Sequence, residues 1–419
     1  EIKECDWSSD VCSSDLEEDF PDRMEVSFIG DGNRQTMFYE KVVWEIEGEV
    51  RGLRYGENPC QPAAFYRLIN GNIAIGDVRT IAPGKYLASD IELLQSGKHP
   101  GKINITDIDN ALNIMRYFHK DPMTVIVKHN NPSGAAIGTT PAESFRKAYL
   151  ADSVAAFGGA IAMNRTVDEE TARIISDLYF EVIAAPDFSG TAMDLLKRRK
   201  NLRIMKILSI DRLSSFIGER VIDFKTLMDG GVIAQLSYSP ETLSADKFLP
   251  AKTVHNGESY EVKRKPDERE AADLLFGWLV ESGITSNSVV YVKDGMTVGI
   301  GTGEQDRVGV AEIARDKAYK KSFDRISAEL YGKLWKECSE ERERETVKNK
   351  VTETHGGLLD SRMISDAYFP FRDAIDIGLS EGVSAIIQPG GSERDFESIV
   401  ACNEYNAAMV FTGQRSFKH

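Results

Sequence analysis

Cysteine is scarce in this chain. Five in 419 residues (Cys5, Cys12, Cys60, Cys338, Cys402) make an odd, widely scattered set with no C-x-x-C pair. Such spacing argues against a disulfide framework and a structural zinc site, and for a reducing compartment. Long apolar runs are lacking too: stretches such as 154–163 are among the longest, well short of the ~20 residues a bilayer crossing needs. A membrane span is therefore not expected. The N-terminus shows no basic region followed by a hydrophobic core, so no secretory signal is read there and a cytoplasmic location is expected. Basic residues are outnumbered, 51 against 66 acidic, for a formal charge of −15. A surface of that sign repels polyanions, so nucleic acid is a poor partner, while a local pocket for one phosphate remains compatible.

What is present is a globular composition, with 42% hydrophobic and 28% charged residues and glycine and proline dispersed through the chain, on a length sufficient for two or three domains. Residues 1–16 are Ser- and Asp-rich and aperiodic, and read as a disordered or non-native extension. Residues 17–50 read as a β-hairpin region, with the turn-rich GDGNRQ between two β-branched and aromatic runs. Beyond them, apolar strands alternate with helical periods, the pattern of an α/β layered fold. Ile108, Ala111, Leu112 and Met115 mark one face of a helix starting near Asp107; TVIVK at 124–128 has the unbroken apolar character of a strand covered on both faces. A polar, turn-rich stretch at 237–264 separates a first unit, 51–236, from a second, 265–419. The second carries a helix over 267–281, strands at 288–292 and 385–388, and a charged helical insertion near 317–353. Val127-Lys128 and Val292-Lys293 hint at a duplicated unit, though two residues are a slender match.

Several segments carry chemistry. Lys128-His129-Asn130-Asn131-Pro132-Ser133-Gly134 follows the buried strand, at the end where α/β sheets bind ligands. A histidine beside a lysine suits general-base work while the ammonium stabilises developing negative charge; a hydrogen-bonded structural turn is the competing reading. Arg54-Tyr55-Gly56-Glu57-Asn58-Pro59 suits an anion site or a salt-bridged loop. Gly299-Ile300-Gly301-Thr302-Gly303 departs from G-x-G-x-x-G at Glu304, which favours close backbone packing over a dinucleotide cradle. Phe369-Pro370-Phe371-Arg372-Asp373 offers aromatic faces to a flat heterocycle, or to the core. The terminal FTGQRSFKH gathers Arg415, Lys418 and His419 into a basic cluster that reads, alone, as a solvated tail.

In their order, RYGENP, IVKHNNPSGAAIG, DSVAAFGGAIAMNRTVDEETARII, EVIAAPDFS, RKNLR, SNSVVYVKDGMTVGIGTGEQDR, SDAYFPFRDAID, IIQPGGS and FTGQRSFKH are far more specific than singly. From about residue 51 to its end the chain resembles the 5-aminoimidazole-4-carboxamide ribonucleotide (AICAR) formyltransferase family, the transformylase part of the bifunctional purine-biosynthesis enzymes.

That resemblance implies an α/β fold of two tandem cytidine-deaminase-like three-layer subdomains, and a homodimer with active sites at its interface. It implies formyl transfer from the co-substrate 10-formyltetrahydrofolate to the 5-amino group of AICAR. By motif, Lys128 and His129 match the catalytic pair and Asn287 the residue orienting the substrate carboxamide. Arg54, Tyr55, Gly158, Glu181 and Arg415 match nucleotide-contacting positions, with Arg415 toward the phosphate and Phe417 at the nucleotide end. Phe369 and Asp373 match the stretch beside the reacting groups, and Pro370 and Phe371 the folate side. No metal is expected in the chemistry. Two positions depart from similar sequences, Cys60 and Ser133. The residues before Arg54 are too few for a cyclohydrolase domain, so formyl transfer without ring closure is expected. A zinc deaminase needs H-x-E with P-C-x-x-C, which the chain lacks. A nucleotide-binding subunit that has lost turnover is the non-enzymatic alternative, and a formyl-transfer assay separates the two.

Overall fold

The computed structural model describes residues 20–46, 48–81 and 85–419. The extension read at residues 1–16 lies outside them. Apolar strands that can be buried on both faces collect into one mixed sheet of twelve, and the sheet is built twice over. From its centre outward, the first six strands are Asn131–Ile137, Met123–Lys128, Ala160–Met163, Val182–Ala185, Arg203–Ile207 and Ile91–Gln95. The second six are Met296–Gly301, Val289–Lys293, Arg362–Ser365, Ala385–Gln388, Ala408–Phe411 and Leu249–Pro250. Each set runs antiparallel, antiparallel, parallel, parallel, antiparallel. The two sets meet antiparallel at Ala136 and Met296. The α/β expectation holds, and the two expected units share a single sheet.

Alternation along the strands explains the layers. Val125, Val127, Val290 and Val292 point to one face, where a single core joins both halves under the helices Lys102–Met115 and Glu268–Glu281. Ile126 and Ile161 point to the other face in the first half, Val289 and Tyr291 in the second, each with its own core. The first of these helices begins five residues before the expected Asp107, at a start where Asn104 Oδ1 accepts the Gly101 amide at 3.0 Å. The second starts as expected after its Asp267 cap.

The glycine-rich segment is packing, as its departure from the dinucleotide pattern suggested. A Cβ on Gly299 would stand 2.3 Å from Ala314 O of the helix Arg307–Tyr331, and one on Gly134 would stand 2.0 Å from Ala148 O of the helix Pro141–Ala151. These two glycines occupy the same place in the two hairpins. The stretch read as a linker adds the edge strand Leu249–Pro250 and the hairpin Lys252–His255/Glu258–Glu261. The N-terminal hairpin is Arg23–Gly30 with Asn33–Lys41, extended by Tyr66–Gly71. Among the described residues no helix is long and apolar enough to cross a membrane.

Candidate active site

Lys128 ends its strand, but the segment after it is no loop. Asn131–Ile137 returns at once along Met123–Lys128, so His129 and Asn130 form a two-residue hairpin turn with φ of 54° and 60°. Turns of that hand favour Asn-Gly or Asp-Gly, because both residues need positive φ. The corresponding turn of the second half is Asp294-Gly295, with φ of 52° and 68°. The first half thus places an exposed histidine where the fold accepts Asp-Gly.

A buried aspartate holds each turn from below. Asp107 Oδ1 accepts the Asn130 amide at 2.7 Å; Asp273 accepts the Gly295 amide at 2.9 Å and the Asp294 amide at 3.1 Å. Burial lifts the Asp107 carboxyl above its usual range, against the opposing pull of the Asn130 amide and the His129 imidazole. The lysines match as well: Lys128 Nζ donates to Phe157 O at 2.6 Å and Lys293 Nζ to Leu359 O at 2.7 Å. The turns differ above the sheet. Asp294 is engaged by Arg269 at 2.9 Å, whereas Lys128 and His129 line a cavity of 260 Å³ together with Ser133, Asp152, Thr302 and Lys317.

The first turn abuts the open end of the second hairpin. Asn131 Oδ1 accepts the Thr285 amide at 2.8 Å and the Thr302 hydroxyl at 3.2 Å. Two residues on, Asn287 donates through Nδ2 to Glu304 O and Gln305 O at 3.0 Å each, and its Oδ1 accepts from Arg307 Nη2 at 2.7 Å. Arg307 is buried and paired with the buried Asp366, which also accepts from Ser286 Oγ. The C-terminal tail enters this seam through Ser416 and Lys418, which corrects the solvated reading at those residues, while Arg415 and His419 remain exposed. Ser286 N donates to Lys418 O at 2.9 Å, and Lys418 Nζ donates to Asn130 O at 2.8 Å and Gly283 O at 2.9 Å. Burial brings the Lys418 ammonium down to about 8, opposed by Asp109 and Asp107.

Arg54, Tyr55 and Glu181 gather at the start of the Lys102–Met115 helix. The Arg54 guanidinium stands 5.2 Å from the Tyr55 ring centre; Glu181 accepts from Asn104 Nδ2 at 3.1 Å and pairs with Arg203 at 3.9 Å. Gly158, with φ of 73°, follows Phe157, whose carbonyl receives Lys128. Arg415 is exposed and stacks 4.7 Å over Phe417 in the same tail as Lys418. Phe369 is fully buried in the second-half core, the core alternative for its motif, and its amide donates to Gln388 at 3.0 Å. Pro370 follows it. Phe371 and Asp373 line a different cavity, of 530 Å³, where Arg394 stacks 4.9 Å from the Phe371 ring. The chain therefore unites Lys128 and His129 in one cavity, sets Asn287 and the tail beside their turn, and keeps Phe371 and Asp373 apart. Sequence reasoning missed Asp107, Arg307, Asp366 and the anchoring role of Lys418; only the Asp-Gly of the second turn signalled the hairpin geometry.

The sequence model of the AICARFT/IMPCHase bienzyme family matches residues 22–317. The chain is similar to proteins described as bifunctional purine biosynthesis protein PurH. It is 36% identical over 372 residues to that of Caldicellulosiruptor saccharolyticus, covering 88% of this chain and 59% of the relative. It is 36% identical over 408 residues to that of Persephonella marina, covering 92% and 66%. With Bacillus subtilis the figure is 38% over 369 residues, covering 88% and 59%. The chain thus spans 59% to 66% of the length of these relatives.

Proposed function

The chain belongs to the AICARFT/IMPCHase bienzyme family, and from that premise we propose that its Lys128–His129 turn performs the formyl transfer of purine biosynthesis in the cytoplasm. The substrates are AICAR, whose 5-amino group is the nucleophile, and 10-formyltetrahydrofolate, the formyl donor. That amine is a weak nucleophile, because its lone pair is delocalised into the ring and carboxamide; it needs positioning and a base. His129, exposed at the cavity, takes the amine proton as nitrogen attacks the formyl carbon. Lys128 faces the oxyanion of the tetrahedral intermediate, where a cation acts most strongly. Collapse breaks the bond to the folate nitrogen, which leaves protonated as tetrahydrofolate. Asn287 orients the carboxamide, and Arg54, Tyr55, Glu181 and Arg415 hold the nucleotide. The separate cavity of Phe371 and Asp373 fits a site completed across a homodimer.

The observation that carries this reading is the histidine at a positive-φ turn position open to a cavity, where the equivalent turn in the same sheet has Asp-Gly. Incubation of the chain with AICAR and 10-formyltetrahydrofolate tests it: formylated ribonucleotide and tetrahydrofolate form in equal amounts. Absence of both products from folded protein overturns it.

A further inference from the structure

Because the sheet is built twice, one half serves as a control for the other. The helices Lys102–Met115 and Glu268–Glu281 are both fourteen residues long, and the hairpins pair in the same register. Position by position, Met115 corresponds to Glu281, Met123 to Ser288, Pro141 to Arg307 and Asn164 to Asp366. In the first half these are apolar or neutral groups, buried at Met115, Met123 and Asn164 and half-buried at Pro141; Asn164 serves the backbone, accepting the Met123 amide at 2.8 Å and donating to Phe118 O and Asp121 O at 2.9 Å. The fold therefore stands without charge at this place. In the second half the same positions hold two carboxyls and a guanidinium, all buried, an arrangement whose desolvation is costly until pairing offsets it. Burial, with the nearby Asp366 charge adding to it, pushes the Glu281 acid well above the carboxylate range.

The connections run toward Asn287. Ser288 Oγ donates to Glu281 Oε1. Arg307 Nη1 donates to Ser288 O and Ser365 Oγ at 3.1 Å each and to Asp366 Oδ1, while its Nη2 donates to Asn287 Oδ1 at 2.7 Å. Asp366 also accepts from Ser286 Oγ, so the residues on both sides of Asn287 are pinned. We infer that Glu281 and Asp366 are positioning residues of the transfer site, fixing the Asn287 carboxamide through Ser288, Ser286 and Arg307; the inference rests on the formyl-transfer reading. Glu281 does this by accepting a hydrogen bond, so an amide can replace it and a thioether cannot.

The test is a set of double-mutant cycles with Asn287→Ala, read by kcat and KM for AICAR and by calorimetric AICAR binding. Glu281→Met, which installs the first-half residue, and Ser288→Ala, which removes one hydroxyl, each lower kcat/KM about tenfold in the wild-type background and less than twofold in Asn287→Ala. Glu281→Gln stays within about threefold of wild type. Full activity in Ser288→Ala, or a loss of equal size in the Asn287→Ala background, overturns the inference. Wild-type protein without transfer activity overturns the proposed function instead, and the binding cycle then decides the positioning role alone.

Discussion

The two hairpin turns share a frame and differ in their chemistry. Each ends a buried strand in a lysine that donates to a loop carbonyl, and each rests on a buried aspartate of the helix beneath. In the second half the frame is closed by Asp294-Gly295 and Arg269; in the first, His129-Asn130 leaves an imidazole at a cavity. Opposite each turn lies the open end of the other hairpin. The end facing His129 carries the charged network around Asn287, and the end facing Asp294 is lined by Met115, Met123 and Asn164. Duplication gave two places for a site, and polar groups at both hairpin ends concentrate in one. Backbone contacts common to both halves are thereby assigned to the scaffold, and the side chains that distinguish the His129 turn and the facing Asn287 end are assigned to function.

Exchanging the turns breaks the comparison most severely. His129→Asp with Asn130→Gly is expected to reduce kcat by ~10²-fold or more, by removing the base. The same exchange raises the thermal midpoint, because Asp-Gly accepts two consecutive positive-φ positions with less strain. A double variant retaining normal turnover at saturating substrates would show that the imidazole is not needed.

The lysines sharpen it. Lys128→Ala is expected to lower kcat about tenfold or more through lost oxyanion stabilisation, whereas Lys293→Ala leaves turnover within about twofold and costs only stability. Equal kinetic losses for both would mean that each lysine serves the fold alone.

Lys418 offers a smaller effect with opposite signs in two measurements. Its pKa is depressed by burial from 10.5 to about 8, so the folded state binds fewer protons than the unfolded state between those values. Stability therefore gains from this group as pH rises from about 8 toward 10.5, while turnover falls several-fold above pH 8 as Lys418, the donor to the Asn130 carbonyl, loses its positive charge. Lys418→Met removes both trends; pH–rate profiles and thermal melts across pH 7–10 check it.

The smallest effect falls on the helix starts. Glu270 takes the place that Asn104 holds in the first half. Burial would raise its pKa, but the Arg264 guanidinium, the Asp267 amide and Ser384 bring it down to about 2. This depressed carboxyl contributes stability that is present above about pH 4.5 and lost as pH falls toward 2. Glu270→Gln is expected to cost about 1–2 kcal/mol at pH 7, little near pH 2, and nothing in turnover, as urea unfolding at the two pH values would report.

These contrasts were unevenly legible beforehand. Strands such as TVIVK and SVVYV announced themselves by unbroken apolar runs, and the helix expected over 267–281 proves to start with a capping box of Asp267 and Glu270. In the second turn Asp-Gly is a readable hairpin signal. His-Asn in the first is not, so nothing local marks Asn131–Ile137 as the returning strand that its pairing makes it. The duplication itself showed only as two Val-Lys pairs, because packing preserves volume and alternation while letting identities drift. The tail read as solvated because its anchors, Ser286 and Asn130, lie far away in the chain.

Local periodicity and residue type, which act over a few neighbours, were enough for the sequence alone to determine the α/β class, the both-face burial of the strands and the Lys128–His129 pair at a strand end. Tertiary structure decided the rest: that both halves share one sheet, that the first turn faces the second hairpin's open end, and that Asn287 and Lys418 join it there. Those juxtapositions depend on strand order and register between segments more than a hundred residues apart, on which local preference is silent.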